Sequence, residues 1–275
     1  MKPARFDYVR AGSIAEAHAV LAEEGEDASV MAGGQSLVAM LSMRLARPKV
    51  VLDIMRIPEL AGISDDGTAI RIGAAVRQAE LLAWPQLEKV QPLLAQALPW
   101  IGHAQTRSRG TVCGSVAHAD PSAEIPLALV ALGGDIELSS RRRYRRVAAA
   151  DFFTGLMSTA RAHDELVEAV FVPHRRPGHG YAFREFARRH SDIAIVACAA
   201  IAGEQEVRLA LGGVGDKPLA FDRLPLYGTA LDKALDTIAT QIEARDDLHA
   251  SAAYRRELVR RLGRATITEA RRCRA

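Results

Sequence analysis

Two short runs of small residues are the parts of this sequence best suited to chemistry: Ala32-Gly33-Gly34-Gln35-Ser36 and Thr111-Val112-Cys113-Gly114-Ser115, each followed by an apolar segment. A turn of small residues lets backbone N–H groups converge on an anion, because little side-chain bulk intervenes, and a following helix adds its positive end. The first run does not fit G-x-G-x-x-G, and no acidic residue stands where a Rossmann dinucleotide site needs one. Taken singly, each run reads equally as a tight strand-to-helix turn. Taken together, they suggest two loops gripping one diphosphate. Cys113, Cys198 and Cys273 are odd in number, far apart and without a C-x-x-C spacing, which argues against a disulfide framework, a zinc site or an iron–sulfur cluster. Metal chemistry is therefore expected on a partner, and no residue set reads as a substrate-oxidising base, so no catalytic side chain is assigned here.

The elements that must position these loops follow from the patterning. Ser13 with Glu16 forms a capping-box signal ahead of Ile14, Ala17, Val20 and Leu21, and Gly25 closes the stripe, which predicts a helix over 14–24. Ala28 to Met31 reads as a buried strand, Leu37 to Leu45 as a helix and Val50 to Ile54 as a strand, so the first fifty residues form a β-α-β arrangement with the first small-residue turn inside it. Pro58 marks a boundary, and the Asp66-Gly67 turn between Ile63 and Ile72 signals a hairpin. Helices are expected at Gln78–Leu82, at Gln86–Leu98 with an early interruption at Pro92, and at Pro121–Ala131, and strands at Asp135–Ser139 and around Val167–Val172. Between them, Ile101 to Ala119 shows no helical periodicity and is expected to be a long functional loop. Pro173, Pro177, Gly178 and Gly180 form a linker. Beyond it come strands at Ala182–Phe186, Ala194–Ala202 and Val207–Leu211, then helices at Thr229–Ala244 and Ala252–Leu262.

Composition sets limits on class. With 275 residues, 49% hydrophobic, the chain can bury a real core and hold about two domains or several subdomains. The longest apolar run, Ile193 to Ala202, is about half the ~20 residues a bilayer-spanning helix requires. Asp7 and Arg10 interrupt the region where a secretory leader would be apolar, so a cytoplasmic protein is expected. A net charge of +3 is too small to imply nucleic acid, although Arg clusters at 141–146 and 255–274. Those clusters read as solvated faces or subunit contacts.

The string Thr106 to Glu124 resembles the T-x-G-G-[SN]-x-x-x-A-[DS]-P-x-x-[DE] signature of the flavin-binding subunit or domain of molybdenum hydroxylases, the family of xanthine, carbon monoxide and nicotine dehydrogenases. Ala32 to Leu37 matches the family's A-G-G-[QH]-S-L. Asp151 to Gly155, Asp164 to Val167 (ending at Pro173) and Phe183 to Ala194 follow in the family's order. The resemblance, which runs to about residue 215, implies an α+β fold of the vanillyl-alcohol-oxidase type. It has FAD-binding subdomains at 1–56 and 57–173 and a C-terminal antiparallel sheet with helices at 178–275, FAD lying extended between the first two. It further implies that Val30, Met31, Ala32, Gly33, Gly34, Gln35, Ser36 and Leu37 line the adenine-nucleotide half, and that Arg109, Thr111, Val112, Cys113, Gly114 and Ser115 form the second phosphate loop. Asp120 and Glu124 fall where polar contacts to ribose or ribityl hydroxyls are made, and Ile101 and Val167 at apolar contacts. Arg184 takes a position usually held by Lys, and Ser191, Asp192 and Ile193 lie at the isoalloxazine ring. A branched residue such as Ile193 can pack on a flavin face, and Arg184 or Arg188 can stabilise an anionic reduced flavin.

The implied function is an FAD-bearing medium subunit. It would work beside a small subunit with two [2Fe–2S] clusters and a large molybdopterin subunit that selects and hydroxylates the substrate, usually as a dimer of heterotrimers. One departure is Cys113, where the family usually has Gly; a residue there with positive φ would cost about 1 kcal/mol. Its thiol reads as a small buried filler rather than a reactive group, and noncovalent FAD is expected. A stand-alone flavin reductase or oxidase of the same fold, distinguished by activity without partners, and an Arg-rich polyanion-binding module, distinguished by the lack of flavin, are the competing readings.

Overall fold

The computed structural model describes residues 2–274. The N-terminal unit alternates strand and helix: β1 (Asp7–Arg10), α1 (Ile14–Glu24), β2 (Ala28–Met31), α2 (Leu37–Ser42) and β3 (Val50–Asp53). The strands form a parallel sheet in the order β1-β3-β2. β3 reads VVLD and is buried along its whole length, as expected for the centre of a covered parallel sheet. α1 starts at Ser13, whose hydroxyl accepts the Glu16 amide at 3.2 Å, and ends at Gly25 with φ 54°. α2 stops at Ser42, earlier than the apolar run to Leu45 implied, and Arg44 just beyond takes a left-handed conformation with φ 59°.

A second unit follows, with the hairpin β4 (Ile63–Asp65) and β5 (Ala69–Gly73) turning at Gly67 with φ 86°. Next come α3 (Gln78–Leu82), α4 (Leu87–Val90) and α5 (Pro92–Ala97). The helix expected over 86–98 is two pieces, broken at Pro92 as expected, because Pro92 has no N–H to continue the first and is well placed to start the second. The stretch Ile101 to Ala119, expected to lack helix, carries α6 (Ala104–Arg107) and α7 (Val112–His118). These helices are only four and seven residues long, too short to print a periodicity.

α8 (Glu124–Leu132) is buried on nearly every side and reads apolar throughout after its first residue. It starts three residues later than expected. β6 (Asp135–Ser139), β7 (Tyr144–Ala148), α9 (Ala149–Phe152), the small hairpin β8 (Phe153–Gly155) and β9 (Ser158–Thr159), and β10 (Leu166–Pro173) complete the unit. Its five-stranded sheet has the order β4-β5-β10-β6-β7, with β10 at the centre and a bulge between Val167 and Ala169.

The C-terminal unit is an antiparallel sheet, β11 (Gly180–Phe186), β12 (Val196–Ala202), β13 (Val207–Gly212) and β14 (Leu219–Leu224), in that spatial order. α10 (Gly228–Gln241) and α11 (Ala252–Arg272) cover one face and α8 packs on the other. The edge strand β11 is protected by Gln96 of α5. The Gln96 side chain donates to the Tyr181 carbonyl at 3.3 Å and accepts from the Phe183 amide at 3.0 Å.

Candidate cofactor cleft

The two small-residue turns meet. Gly33 follows the carboxyl end of β2, the edge of a parallel sheet where α/β folds place ligands. A methyl group built on Gly33 would lie 2.0 Å from the Arg109 carbonyl oxygen and 2.7 Å from the Gly110 Cα, so the two backbones touch with no room for a side chain. The neighbouring Gly34 has φ 71°, a conformation that glycine adopts without strain. The second turn is fixed from behind: the Gln78 amide donates to the Gly110 carbonyl at 2.8 Å and the Val112 amide to the Val76 carbonyl at 3.1 Å. Thr111 then caps α7, its hydroxyl accepting from Gly114 at 3.0 Å. Cys113 sits in ordinary helical backbone, buried, so the cost of positive φ does not arise. Its thiol is pushed up to about 12 by burial, which leaves it a packing group.

A cleft of about 410 Å³ runs between the turns, within the size range of small-molecule sites. Among the described residues, no protein group accepts the amides of Gly33, Gly34, Gln35 and Ser36, and the Ser36 hydroxyl makes no cap to α2. Its walls include Val30, Ala32 to Leu37, Thr111 and Cys113 to Ser115, with Asp120 and Glu124 on the α8 side. Ile101 and Val167 contribute apolar surface. Ile101 is held by Arg107, which donates to its carbonyl at 2.8 Å, and Val167 stands at the bulge of β10, a feature that re-aims side chains beside sites.

Seven residues named from the sequence lie outside these walls. Met31 packs beside Gly34, Arg109 contributes the carbonyl facing Gly33, and Val112 points into the core. Arg184 lies on the helix-covered face of β11 and pairs with Glu269 of α11 at 2.6 Å. Ser191, Asp192 and Ile193 occupy the loop between β11 and β12, where Ser191 has φ 71° and the Ile193 side chain is 65% exposed. That loop is anchored near the cleft through His190, whose ring lies 5.0 Å from Trp100, next to Ile101.

The sequence reading did not assign several polar wall residues, among them Gln78, Arg161 and Glu165. Gln78 is buried, and its Oε1 has no partner among the described residues. Arg161 sends Nη1 to the Ala162 and Glu165 carbonyls, at 3.0 and 2.6 Å. Glu165 is held by Arg145 through two 2.7 Å contacts, and despite burial, these bonds and the Ala162 amide keep its carboxyl below the usual range. Glu165 falls inside the Asp164–Val167 motif, which was its one sequence signal.

Burial pushes the Glu124 carboxyl up to about 7, with repulsion from Asp120 adding to the effect. Free loop amides, one guanidinium, an unpartnered amide oxygen and apolar walls at Ile101 and Val167 together suit a long dinucleotide with a charged middle and an aromatic end. The groups present therefore fit FAD.

The fold and the cleft fit a class, that of FAD-binding subunits, and comparison with known proteins specifies the family. Residues 4–175 match the family described as FAD binding domain in molybdopterin dehydrogenase. Residues 181–270 match the CO dehydrogenase flavoprotein C-terminal domain. The chain is 38% identical to the nicotine 6-hydroxylase medium subunit of Paenarthrobacter nicotinovorans, over 98% of this chain and 99% of that protein. It is 35% identical to the carbon monoxide dehydrogenase medium chain of Afipia carboxidovorans, over 98% of both. The structure of carbon monoxide dehydrogenase from Hydrogenophaga pseudoflava superposes with a TM-score of 0.96 at 31% identity, covering 100% of both chains. The chain belongs to the FAD-binding medium subunits of molybdenum-hydroxylase-type dehydrogenases and is an oxidoreductase subunit. No helix among the described residues is long and apolar enough to cross a membrane.

Proposed function

We propose that this chain is the medium subunit of a cytoplasmic heterotrimer, beside a small [2Fe–2S] subunit and a large molybdopterin subunit, two heterotrimers forming the assembly. The observation that carries this reading is the backbone contact of Gly33 with Arg109 and Gly110, which brings both turns to one cleft. Bound FAD supplies exchange between one- and two-electron carriers, which suits a relay from iron–sulfur clusters to an external acceptor.

The residues of the chain divide the binding work by chemistry. The free amides of Gly33 to Ser36 and the Ser36 hydroxyl would hold phosphate oxygens, with Arg161 as the nearby cation. Asp120 and Glu124 would take sugar or ribityl hydroxyls, and Gln78 Oε1 would accept from one of the donors of the cofactor. Ile101 and Val167 would pack on the rings and exclude water. The loop carrying Ser191, Asp192 and Ile193 would close the flavin end, its exposed Ile193 supplying the apolar cover. In this reading the units 1–56, 57–173 and 178–275 act as two cofactor-gripping halves and a C-terminal brace, and Arg184, tied to Glu269, belongs to that brace.

Co-expression of the chain with a [2Fe–2S] subunit and a molybdopterin subunit encoded in the same genome tests this directly. The expected product is a co-purifying complex with one FAD per copy of this chain, and purification of the chain alone without flavin, in the presence of both partners, overturns it.

A further inference from the structure

Glu185 is a buried carboxylate that the cofactor site does not use. Along β11, Tyr181 and Phe183 face the core shared with α8, whereas Ala182 joins the core under α10 and α11 and Arg184 pairs with α11. Strand alternation puts Glu185 on the same face as Tyr181 and Phe183, toward α8. The residue is 8% exposed, and neither carboxyl oxygen has a hydrogen-bond partner among the described residues.

The ionisable surroundings of Glu185 are sparse. α5 presents none, and α8 offers only Glu124. The cross-strand partner of Glu185 is Ala197, while Cys198 stands opposite Arg184 in the register and belongs to the other face. His118 and Asp120 lie at the cleft wall. Arg188, Arg189 and His190 follow in the β11–β12 loop, and none of them makes an ion pair with Glu185 among the described residues. Burial pushes Glu185 up to about 8, with repulsion from Glu124 adding to it. Three carboxyls thus run from the cleft into the seam: Asp120, Glu124 and Glu185, each felt by the next.

We propose that Glu185 and Glu124 work as one carboxyl pair beside the cofactor cleft, in which the buried, unpartnered Glu185 retains a proton behind the cleft-facing Glu124, so that an anionic dinucleotide does not meet both carboxylates ionised. The proposal rests on FAD being the occupant of the cleft. Two buried carboxylates with no cation cannot both ionise cheaply, and the diphosphate adds negative charge to the same low-dielectric space. The complex therefore binds more protons than the free protein near neutral pH. By linkage, FAD affinity falls as pH rises, by at most about tenfold per pH unit for one coupled proton.

FAD affinity is measured by fluorescence quenching on the full-length chain from pH 6 to pH 9, together with infrared spectra of the carbonyl stretch of protonated carboxylic acids. Wild type should bind with falling affinity across this range. Glu185→Gln, an isostere of the neutral acid, should match wild type at pH 6 and bind about tenfold more tightly at pH 9. The protonated-acid band should be present at pH 6 and weaken in Glu185→Gln and in Glu124→Gln. FAD binding with parallel pH profiles for wild type and Glu185→Gln, or with no such band at pH 6, overturns the carboxyl pair while leaving the cofactor assignment standing. A folded chain that binds no FAD at any pH overturns the cofactor assignment and, with it, the proposal.

Discussion

Replacing Gly33 with Ala adds one methyl group at the point where the two turns touch. That methyl would sit 2.0 Å from the Arg109 carbonyl oxygen, where ordinary contact begins at 3.4 Å, so the turns must separate by about 1.4 Å. Both obstacles are backbone, and Gly110 is fixed by the hydrogen bond between the Gln78 amide and the Gly110 carbonyl, so no flexible side chain can yield. Inserting a methyl into such a contact costs about 1–3 kcal/mol, which corresponds to a weakening of FAD binding by about five- to 150-fold if the strain falls on the closed arrangement. Flavin absorbance per mole of protein and an equilibrium titration with FAD report the loss, and thermal unfolding reports any share taken by the fold itself. Gly155→Ala is the matched control, since a methyl there meets nothing within 4 Å. A Gly33→Ala protein with wild-type FAD affinity and an unchanged melting temperature would refute the claim that this contact shapes the cleft.

Other perturbations test separate parts of the structure. A thiol-reactive dye at pH 8 should label one cysteine quickly in the folded protein, the exposed Cys273, because burial raises the thiols of both Cys113 and Cys198. Fast labelling of Cys113 would mean that the second turn is open to solvent. Arg145→Ala should cost about 3–5 kcal/mol in urea unfolding at pH 7, since it strands the buried Glu165 carboxylate. Glu165 titrates below its usual range in the fold, so its contribution is present above the unfolded value of about 4.5 and is lost as pH falls through the folded value. The gap between wild type and variant should therefore shrink on acidification, and an equal gap at pH 7 and pH 3 would sink the assignment.

How much of this was legible in the sequence varies with where the determining contacts lie. α1 and the β4–β5 hairpin were legible because Ser13, Gly25 and Gly67 act within a few residues of themselves. α7 was not legible, since it depends on the bridge from Val76 to Gln78, a segment more than thirty residues upstream. α11 was expected to end at Leu262, beside Gly263, yet it continues to Arg272. Gly263 is there for close packing: a methyl on it would come 3.2 Å from Leu235 of α10 and 3.5 Å from Leu209 of β13. β14 is half exposed and carries a register shift, so its alternation is blurred. At the cleft, the glycine turns were visible as local motifs, whereas Gln78 and Arg161 become wall residues only through tertiary placement.

Gly33 in the cleft wall and Gly73 at the end of β5 share one physical logic, and at Gly33 it separates this site from one built on cations. Gly33 admits the Arg109 carbonyl, and Gly73 admits the Leu60 carbonyl, where a methyl would come within 2.2 Å. Each allows two chain segments to lie closer than any side chain permits, and the donors left over in the first turn are amides whose positions the backbone fixes in advance. Ordering a set of lysines around a diphosphate would cost side-chain entropy at every binding event, whereas the backbone of a tight turn has met that cost on folding. In the proposed reading, FAD affinity follows how firmly the N-terminal sheet is docked against the second sheet. Besides the Gly33 contact and the core shared by Ala17, Leu21 and Leu52 with the second unit, that docking includes His18 of α1, whose Nε2 lies 2.8 Å from Ser139 Oγ, with Glu168 at the β10 bulge as the third member. The same bulge places Val167 in the wall of the cleft. The tie that joins the two sheets and an apolar part of the cleft wall therefore come from adjacent residues of one strand, so in the proposed reading loosening the seam also reshapes the site.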